Sequence, residues 1–314
     1  MKDYSGVSLQ VGPIYVYSLT MMLGMIASIL TVFYFWKREK YTFEQLAILI
    51  FIALPTAIAG ARCFFVIQQL IEHKGWVNGP WYTMFFVWQG GLSIHGGVIT
   101  STICCVIYIV FSKNAKKIDL KKAFSIILPA VLIGQAIGRW GNFANHEVYG
   151  QIMTENSLAF KILPKLIRDH MYIGGHYRLP LFLYESIANL FGYIILVWIL
   201  NNYNWLKPGT TGSLYVLYYG IVRFGMEPLR QDSYTIYKVI SALYIIVGIL
   251  LLILFEFIIK LNYNAYKVYK YHKEWTHKFF YFIVYEPKNN QRGLLKKDFR
   301  KLNLSKNNED VTLA

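Results

Sequence analysis

The sequence predicts an all-α fold: a polytopic membrane protein with seven transmembrane helices, its N-terminus outside, its C-terminus cytoplasmic, and one exocytoplasmic arm or head segment. Three observations carry this. Hydrophobic residues fill 55% of the 314 positions and charged residues only 16%, and the mean hydropathy is positive. Apolar runs of about 20 residues, enough to cross a bilayer as helix, can be drawn seven times, at roughly 13–36, 45–69, 91–111, 123–140, 181–200, 212–230 and 237–259. Basic residues gather on alternate loops.

The loops 37–44, 112–122 and 201–211 and the tail 260–314 hold 21 of the 32 lysines and arginines. The N-terminus and the opposite loops hold seven: Lys2, Lys74, Lys161, Lys165, Arg168, Arg178 and Lys238. Positive loops stay inside, which sets the orientation. The formal charge of +15 therefore reflects membrane topology, and no nucleic-acid partner is expected. Arg62, Arg139, Arg223 and Arg230 remain, and all four fall inside spans or at their outer ends. A charge there usually marks a substrate path. The planar guanidinium fork matches phosphate or carboxylate oxygens. Pairing with Glu147, Glu185 or Glu227 is the alternative use.

Each element can be justified in turn. The first span opens on Gly12-Pro13-Ile14-Tyr15-Val16-Tyr17-Ser18. Lys2 and Asp3 cancel ahead of it and the cluster Lys37-Arg38-Lys40 follows it, so it reads as a retained helix and not a cleaved signal. Tyr15 and Tyr17 would each suit an aromatic belt. The second span carries Gly60-Ala61-Arg62, small residues packing beside an arginine. The third is led by Trp88-Gln89-Gly90-Gly91-Leu92-Ser93-Ile94-His95-Gly96-Gly97, whose four glycines in eight residues let backbone approach another group closely. His95 on this stretch can accept a proton near neutral pH. The fourth span runs into Gly138-Arg139-Trp140-Gly141-Asn142-Phe143-Ala144-Asn145-His146-Glu147-Val148-Tyr149-Gly150. Arg139 and Asn142 share a face if the helix continues past Gly141.

Segment 141–180 is long for a connection. Its mixed run at 158–167 predicts an arm at the interface with lysines facing headgroups. The fifth span opens with Pro180-Leu181-Phe182-Leu183-Tyr184-Glu185 and the sixth closes with Tyr219-Gly220-Ile221-Val222-Arg223-Phe224-Gly225-Met226-Glu227-Pro228-Leu229-Arg230-Gln231-Asp232. Arg223, Glu227 and Arg230 are spaced to stack on one helical face, turned toward the protein interior. The membrane domain is read as 1–261. The basic aromatic tail 262–314 is read as an attachment to anionic inner-leaflet lipid, with Asn303 to Ala314 disordered. Cys63, Cys104 and Cys105 lie within spans without metal-ligand spacing, so they read as packing residues.

Taken together, these motifs resemble the prolipoprotein diacylglyceryl transferase family over roughly residues 12–256. This chain departs from the family's pattern at Ser18, Gln89, His146 and Leu179. The resemblance implies a multi-pass protein of the bacterial plasma membrane that moves the diacylglyceryl group of phosphatidylglycerol to the lipobox cysteine of a prolipoprotein, releasing glycerol-1-phosphate. It implies that Arg139 and Arg223 bind phosphate and stabilise the leaving group, and that Glu147, Glu227 and Arg230 hold these side chains in place. Asn142 would orient a glycerol or ester oxygen, and Asn145, Gly150 and Arg62 would line the lipid site. The base is His95, with Tyr17 or a group of the substrate as the alternatives. No cofactor and no metal are implied.

Two rival readings stand beside this one. An anionic-solute transporter would also place arginines near helix breaks, but it would carry paired discontinuous helices or repeat symmetry, which the sequence does not display. A lipid-binding relative without catalysis would share the same motifs.

Overall fold

The computed structural model describes residues 9–11, 14–73, 79–87, 91–115, 118–231, 235–258, 263–269, 281–287 and 311–313. A short hairpin of β1 (Gln10–Val11) and β2 (Ile14–Tyr15) feeds α1 (Val16–Arg38), followed by α2 (Phe43–His73), α3 (Ile94–Phe111) and α4 (Leu120–Ala144). Next come α5 (Leu158–Ile162), α6 (Lys165–His170), the β3 (Tyr172–Ile173) and β4 (His176–Tyr177) hairpin, α7 (Leu181–Tyr193), α8 (Thr210–Met226) and α9 (Thr235–Ile253). Both α7 and α9 widen into π-helix at their C-terminal ends, over Ile194–Asn201 and Leu254–Ile258.

Among the described residues, six helices are long and apolar enough to cross a membrane: Val16–Arg38, Phe43–Ile71, Ile94–Phe111, Leu120–Ala144, Leu181–Asn201 and Thr235–Phe257. The chain is therefore a multi-pass membrane protein. The apolar run expected at 212–230 forms α8, which at 17 residues is shorter than these six. Its early end has a local cause. Pro228 lacks the N–H that would continue the α-helical ladder, and with Glu227 still in helical backbone the chain tightens into a 3₁₀ turn over Glu227–Leu229.

The expectation of an all-α chain needs correcting. Among the described residues there are three small antiparallel sheets, the largest in the tail, where β5 (Tyr263–Tyr269) lies between β6 (Tyr281–Pro287) and β7 (Val311–Leu313). Tyr266, Val268 and Tyr269 on β5 and Tyr281, Phe282, Ile283, Val284 and Tyr285 on β6 are residue types that favour strands. The terminal stretch read as disordered supplies β7.

The chain divides into two compact units, residues 1–32 with 121–314, and residues 33–120. In the first, α1 crosses α4 at bare backbone. A Cβ on Gly24 would lie 2.8 Å from the Gly134 carbonyl oxygen. Thr31 and Tyr193 share a hydroxyl hydrogen bond of 2.8 Å between α1 and α7. Ser186 on α7 donates to the Ala136 carbonyl on α4 at 2.9 Å and accepts from the Trp140 indole at 3.2 Å. Tyr218 on α8 donates to the Ala188 carbonyl at 2.5 Å. Between α8 and α9, a Cβ on Gly248 would meet the Leu217 backbone at 2.6 Å. Segment 145–180 builds its own core from Met153, Leu163, Ile167, Met171 and Ile173 against Phe182 of α7. It leaves Leu158, Ile162 and Leu166 exposed.

In the second unit, α2 and α3 pack through Gly60 and Gly96, where added side chains would overlap Thr100 and Phe64. Trp36 is buried, and its indole N–H donates to the Thr42 carbonyl at 3.0 Å.

The α1–α4 crossing generates a prediction. Gly24→Leu must push two backbones apart, which costs about 1–3 kcal/mol for overpacking. It should lower the midpoint of thermal unfolding in detergent; an unchanged midpoint would refute the close crossing.

Candidate functional site

The site forms where α4, α7 and α8 bring charge together. Helix α4 runs on to Ala144 because α1 covers Gly141. A Cβ there would meet Thr20 Oγ1 at 2.5 Å and Tyr17 Cδ2 at 2.9 Å. The helix therefore keeps Arg139 and Asn142 on one face, as the spacing predicts. Arg139 Nη1 donates to Asn142 Oδ1 at 3.2 Å, and Asn142 Nδ2 donates to Glu147 Oε1 at 2.8 Å.

Glu147 reaches back because the chain reverses just after α4. His146 and Val148 take positive φ values of 51° and 56°, a conformation uncommon for residues with a side chain. Gly150 then threads between two other segments. Its N–H donates to the Leu179 carbonyl at 2.9 Å, and a Cβ would meet Leu179 Cβ at 2.6 Å and the Leu229 carbonyl oxygen at 2.9 Å. Gly150 also pairs across to Arg230 as an isolated bridge. Glycine at this position ties the end of the signature run to the start of α7 and the end of α8.

Glu185, five residues into α7, is the hub. It forms an ion pair with Arg139 Nε, and its Oε1 lies 3.7 Å from Arg223 Nη1 and 3.4 Å from Arg230 Nη2. Glu227 adds Arg223 Nη2 at 3.4 Å and Arg230 Nε at 3.7 Å. Although α8 stops at Met226, the 3₁₀ turn keeps the expected stripe of Arg223, Glu227 and Arg230 in contact. Arg223 also lies over the Tyr237 ring, 5.8 Å from its centre.

The electrostatics are lopsided. The carboxylate side chains of Glu185 and Glu227 are 4% and 0% exposed, while Arg139, Arg223 and Arg230 keep 24%, 18% and 16%. Buried carboxylates need partners, and these two have three between them. Three guanidiniums against two carboxylates leave one positive charge in excess within the network. The negative groups sit behind and the positive groups retain open faces. Such an arrangement can hold an anion through charge-assisted hydrogen bonds.

Tyr17 lies in the first turn of α1 against Gly141. Asn145 is anchored by its N–H to the Gly141 carbonyl at 3.0 Å, and its Oδ1 is buried with no hydrogen-bond partner among the described residues. His95 and Arg62 belong to the second unit. His95 is exposed in the first turn of α3, whose N-terminus is capped by Ser93. Arg62 is 6% exposed and donates to the carbonyls of Met84, Thr83 and Gly91 at 2.7, 2.8 and 3.2 Å. That pattern staples the approach to α3 onto α2, a structural use of the guanidinium.

Sequence reasoning expected Glu185 to pair with one arginine and left it out of the site, whereas it contacts three. The available signal was its place, the only carboxylate within a largely apolar helix of 13 residues. His146, read as incidental, is buried and stacks on His170 with ring centres 6.0 Å apart. Among the described residues, no group of three or more His, Cys, Asp or Glu gathers.

Comparison with known proteins places nearly the whole membrane-spanning part of the chain in one family. The family described as Prolipoprotein diacylglyceryl transferase matches residues 6–254, so most of the tail lies beyond it. The phosphatidylglycerol–prolipoprotein diacylglyceryl transferase of Mycoplasmopsis pulmonis (strain UAB CTIP) is 47% identical over 253 residues, covering 77% of this chain and 76% of its own. The proteins of the same name from Streptococcus uberis and Streptococcus mutans are 35% and 33% identical, each over 255 residues, covering 79% of this chain and 94% of theirs. With its arginine–carboxylate network and a match across most of its length, this chain belongs to the prolipoprotein diacylglyceryl transferase family.

Proposed function

We propose that this chain transfers the diacylglyceryl group of phosphatidylglycerol to the lipobox cysteine of prolipoproteins. The observation that carries the reading is the network of Arg139, Arg223 and Arg230 backed by buried Glu185 and Glu227. The cysteine thiol is deprotonated, since the thiolate is the nucleophile. Sulfur attacks the glycerol carbon that carries the phosphate ester oxygen. The C–S bond forms as that C–O bond breaks, and glycerol-1-phosphate departs with the electron pair.

Charge grows on the departing phosphate, and cations already in place stabilise it without reorganisation. Arg139 and Arg223 are assigned to that phosphate, with Arg230 completing the positive face. Glu185 and Glu227 fix the guanidiniums from behind. Asn142, held between Arg139 and Glu147, presents its amide to a glycerol oxygen, and Asn145 offers its buried amide to the same headgroup. Gly150 and Arg62 serve as positioning residues. Proton acceptance is assigned to His95, an exposed imidazole in the first turn of α3; Tyr17, beside Gly141, is the second candidate.

In this reading α8 is the seventh span, shortened by its polar end. The N-terminus and segment 145–180 face outward from a bacterial plasma membrane. The exposed Leu158, Ile162 and Leu166 with Lys161 and Lys165 suit a seat at the lipid interface. The basic tail would meet anionic lipid on the cytoplasmic side.

Purified protein in phosphatidylglycerol vesicles with a lipobox peptide should release glycerol phosphate only when the peptide cysteine is intact. Arg139→Ala and Arg223→Ala should each cut that release by about 100-fold or more, the scale of losing one pre-aimed stabilising group. Arg139→Lys should recover little, since an ammonium lacks the planar fork. Release at the parent rate from the alanine variants would sink the assignment.

Glu185→Ala leaves three guanidiniums facing one another with a single carboxylate. Breaking a buried pair costs about 3–5 kcal/mol, so this variant should unfold at markedly lower temperature as well as lose activity. A normal melting midpoint would show that Glu185 is no hub.

Orientation is read separately. With the native cysteines replaced by serine, His176→Cys should react in whole cells with a membrane-impermeant maleimide, and Ser305→Cys should react only after lysis. The opposite labelling would overturn the topology.

A further inference from the structure

Below the arginines, α4 and α8 are joined by a second polar contact that the mechanism does not use. Gln135 lies one turn before Arg139 on α4, and Tyr215 lies two turns before Arg223 on α8. Gln135 Nε2 donates to the Tyr215 hydroxyl at 3.2 Å. Gln135 Oε1 is buried with no hydrogen-bond partner among the described residues. The Tyr215 ring stacks along Tyr219, centres 6.2 Å apart, and Tyr219 meets Tyr244 edge-on at 5.3 Å. The neighbouring polar groups on this stretch of α4 are satisfied, because Ser186 takes the Ala136 carbonyl and the Trp140 indole. The Gln135 amide is the exception, and it lies toward the middle of a span, where an unpaired polar group is costly and usually functional.

The two ends of a glutamine amide have the same shape. Turned over, the amide accepts the Tyr215 hydroxyl proton on Oε1 and offers its two N–H groups to a ligand, so every polar atom is paired. A phospholipid whose phosphate sits on the arginines sends its two ester carbonyls toward the bilayer middle. Those carbonyls are acceptors only. One turn of α4 is about 6 Å along the axis, the direction in which they hang.

We infer that Gln135, oriented by Tyr215, is a second contact for the lipid substrate and binds an ester carbonyl of its diacylglyceryl group. The inference rests on the phosphatidylglycerol reading given above. Held at the phosphate by arginine and at the ester by the amide, the glycerol carbon between them cannot swing. The pair determines specificity for ester-linked over ether-linked lipid.

The test compares vesicles of diester phosphatidylglycerol with vesicles of its dialkyl-ether analogue, which has the same headgroup and no carbonyls. Glycerol phosphate release is followed with a lipobox peptide. The parent should prefer the ester by about 3–10-fold in kcat/KM, the scale of one neutral hydrogen bond. Gln135→Met should bring that ratio close to one by lowering the ester rate alone, leaving the ether rate and the KM for peptide unchanged. Tyr215→Phe, which removes one oxygen and lets the amide rotate, should narrow the ratio. It also keeps the test open if Gln135→Met fails to fold. Equal turnover of both lipids by the parent overturns the inference. So does an equal loss on both lipids in the variants, which marks a structural role, or a shift confined to the peptide KM, which marks an acceptor-binding role. A parent that releases glycerol phosphate from neither lipid brings down the underlying function itself.

Discussion

Glu185 sits at the start of an apolar helix and is shared by arginines from two other elements. One carboxylate could not stand in such a place alone, because its desolvation is repaid only by close, multiple partners. Nor could the arginines stay within hydrocarbon without it. The mutual requirement sets where α4, α7 and the end of α8 must meet. It also sets polarity, since the carboxylates are sealed in and the guanidiniums keep an open side. An anion is the natural complement of that surface.

The surrounding backbone is arranged to let this happen. Glycines where α1 crosses α4 bring Tyr17 onto the same turn as Arg139. Pro228 ends α8 one turn early, and the 3₁₀ turn that follows keeps Arg230 against Glu227 and Glu185. Gly150 lets three segments lie at backbone contact. Each device is a single residue whose substitution would disturb geometry more than chemistry.

Much of this was legible in the sequence. Six apolar runs became long helices with ends within a few residues of those expected, because hydrocarbon thickness imposes a length that composition alone reports. The Arg223, Glu227 and Arg230 stripe was visible as spacing. Glu185 as a three-way hub was not, since pairing across helices depends on how they are rotated about their own axes, and spacing within one helix does not encode that. The fold of segment 145–180 was hidden for a related reason. Its core residues Met153, Ile167 and Ile173 are separated by loops and acquire a common inside only when Phe182 of α7 closes it. The tail strands were obscured by a lysine-rich composition that outweighed their aromatic and β-branched residues.

The order in which the partners occur along the chain has a consequence for biogenesis. Arg139 leaves the ribosome first, Glu185 follows, and Arg223, Glu227 and Arg230 come last. A nascent chain that has inserted α4 but not α7 carries an uncompensated cation in the bilayer, and one that has inserted α7 carries a pair still short of its neighbours. Insertion of α7 thus gives Arg139 its counter-ion, and Arg223, Glu227 and Arg230 of the later segment join a pair already formed. Truncation before α8 would leave Arg139 and Glu185 as a lone pair, without the two further guanidiniums that Glu185 meets in the complete chain.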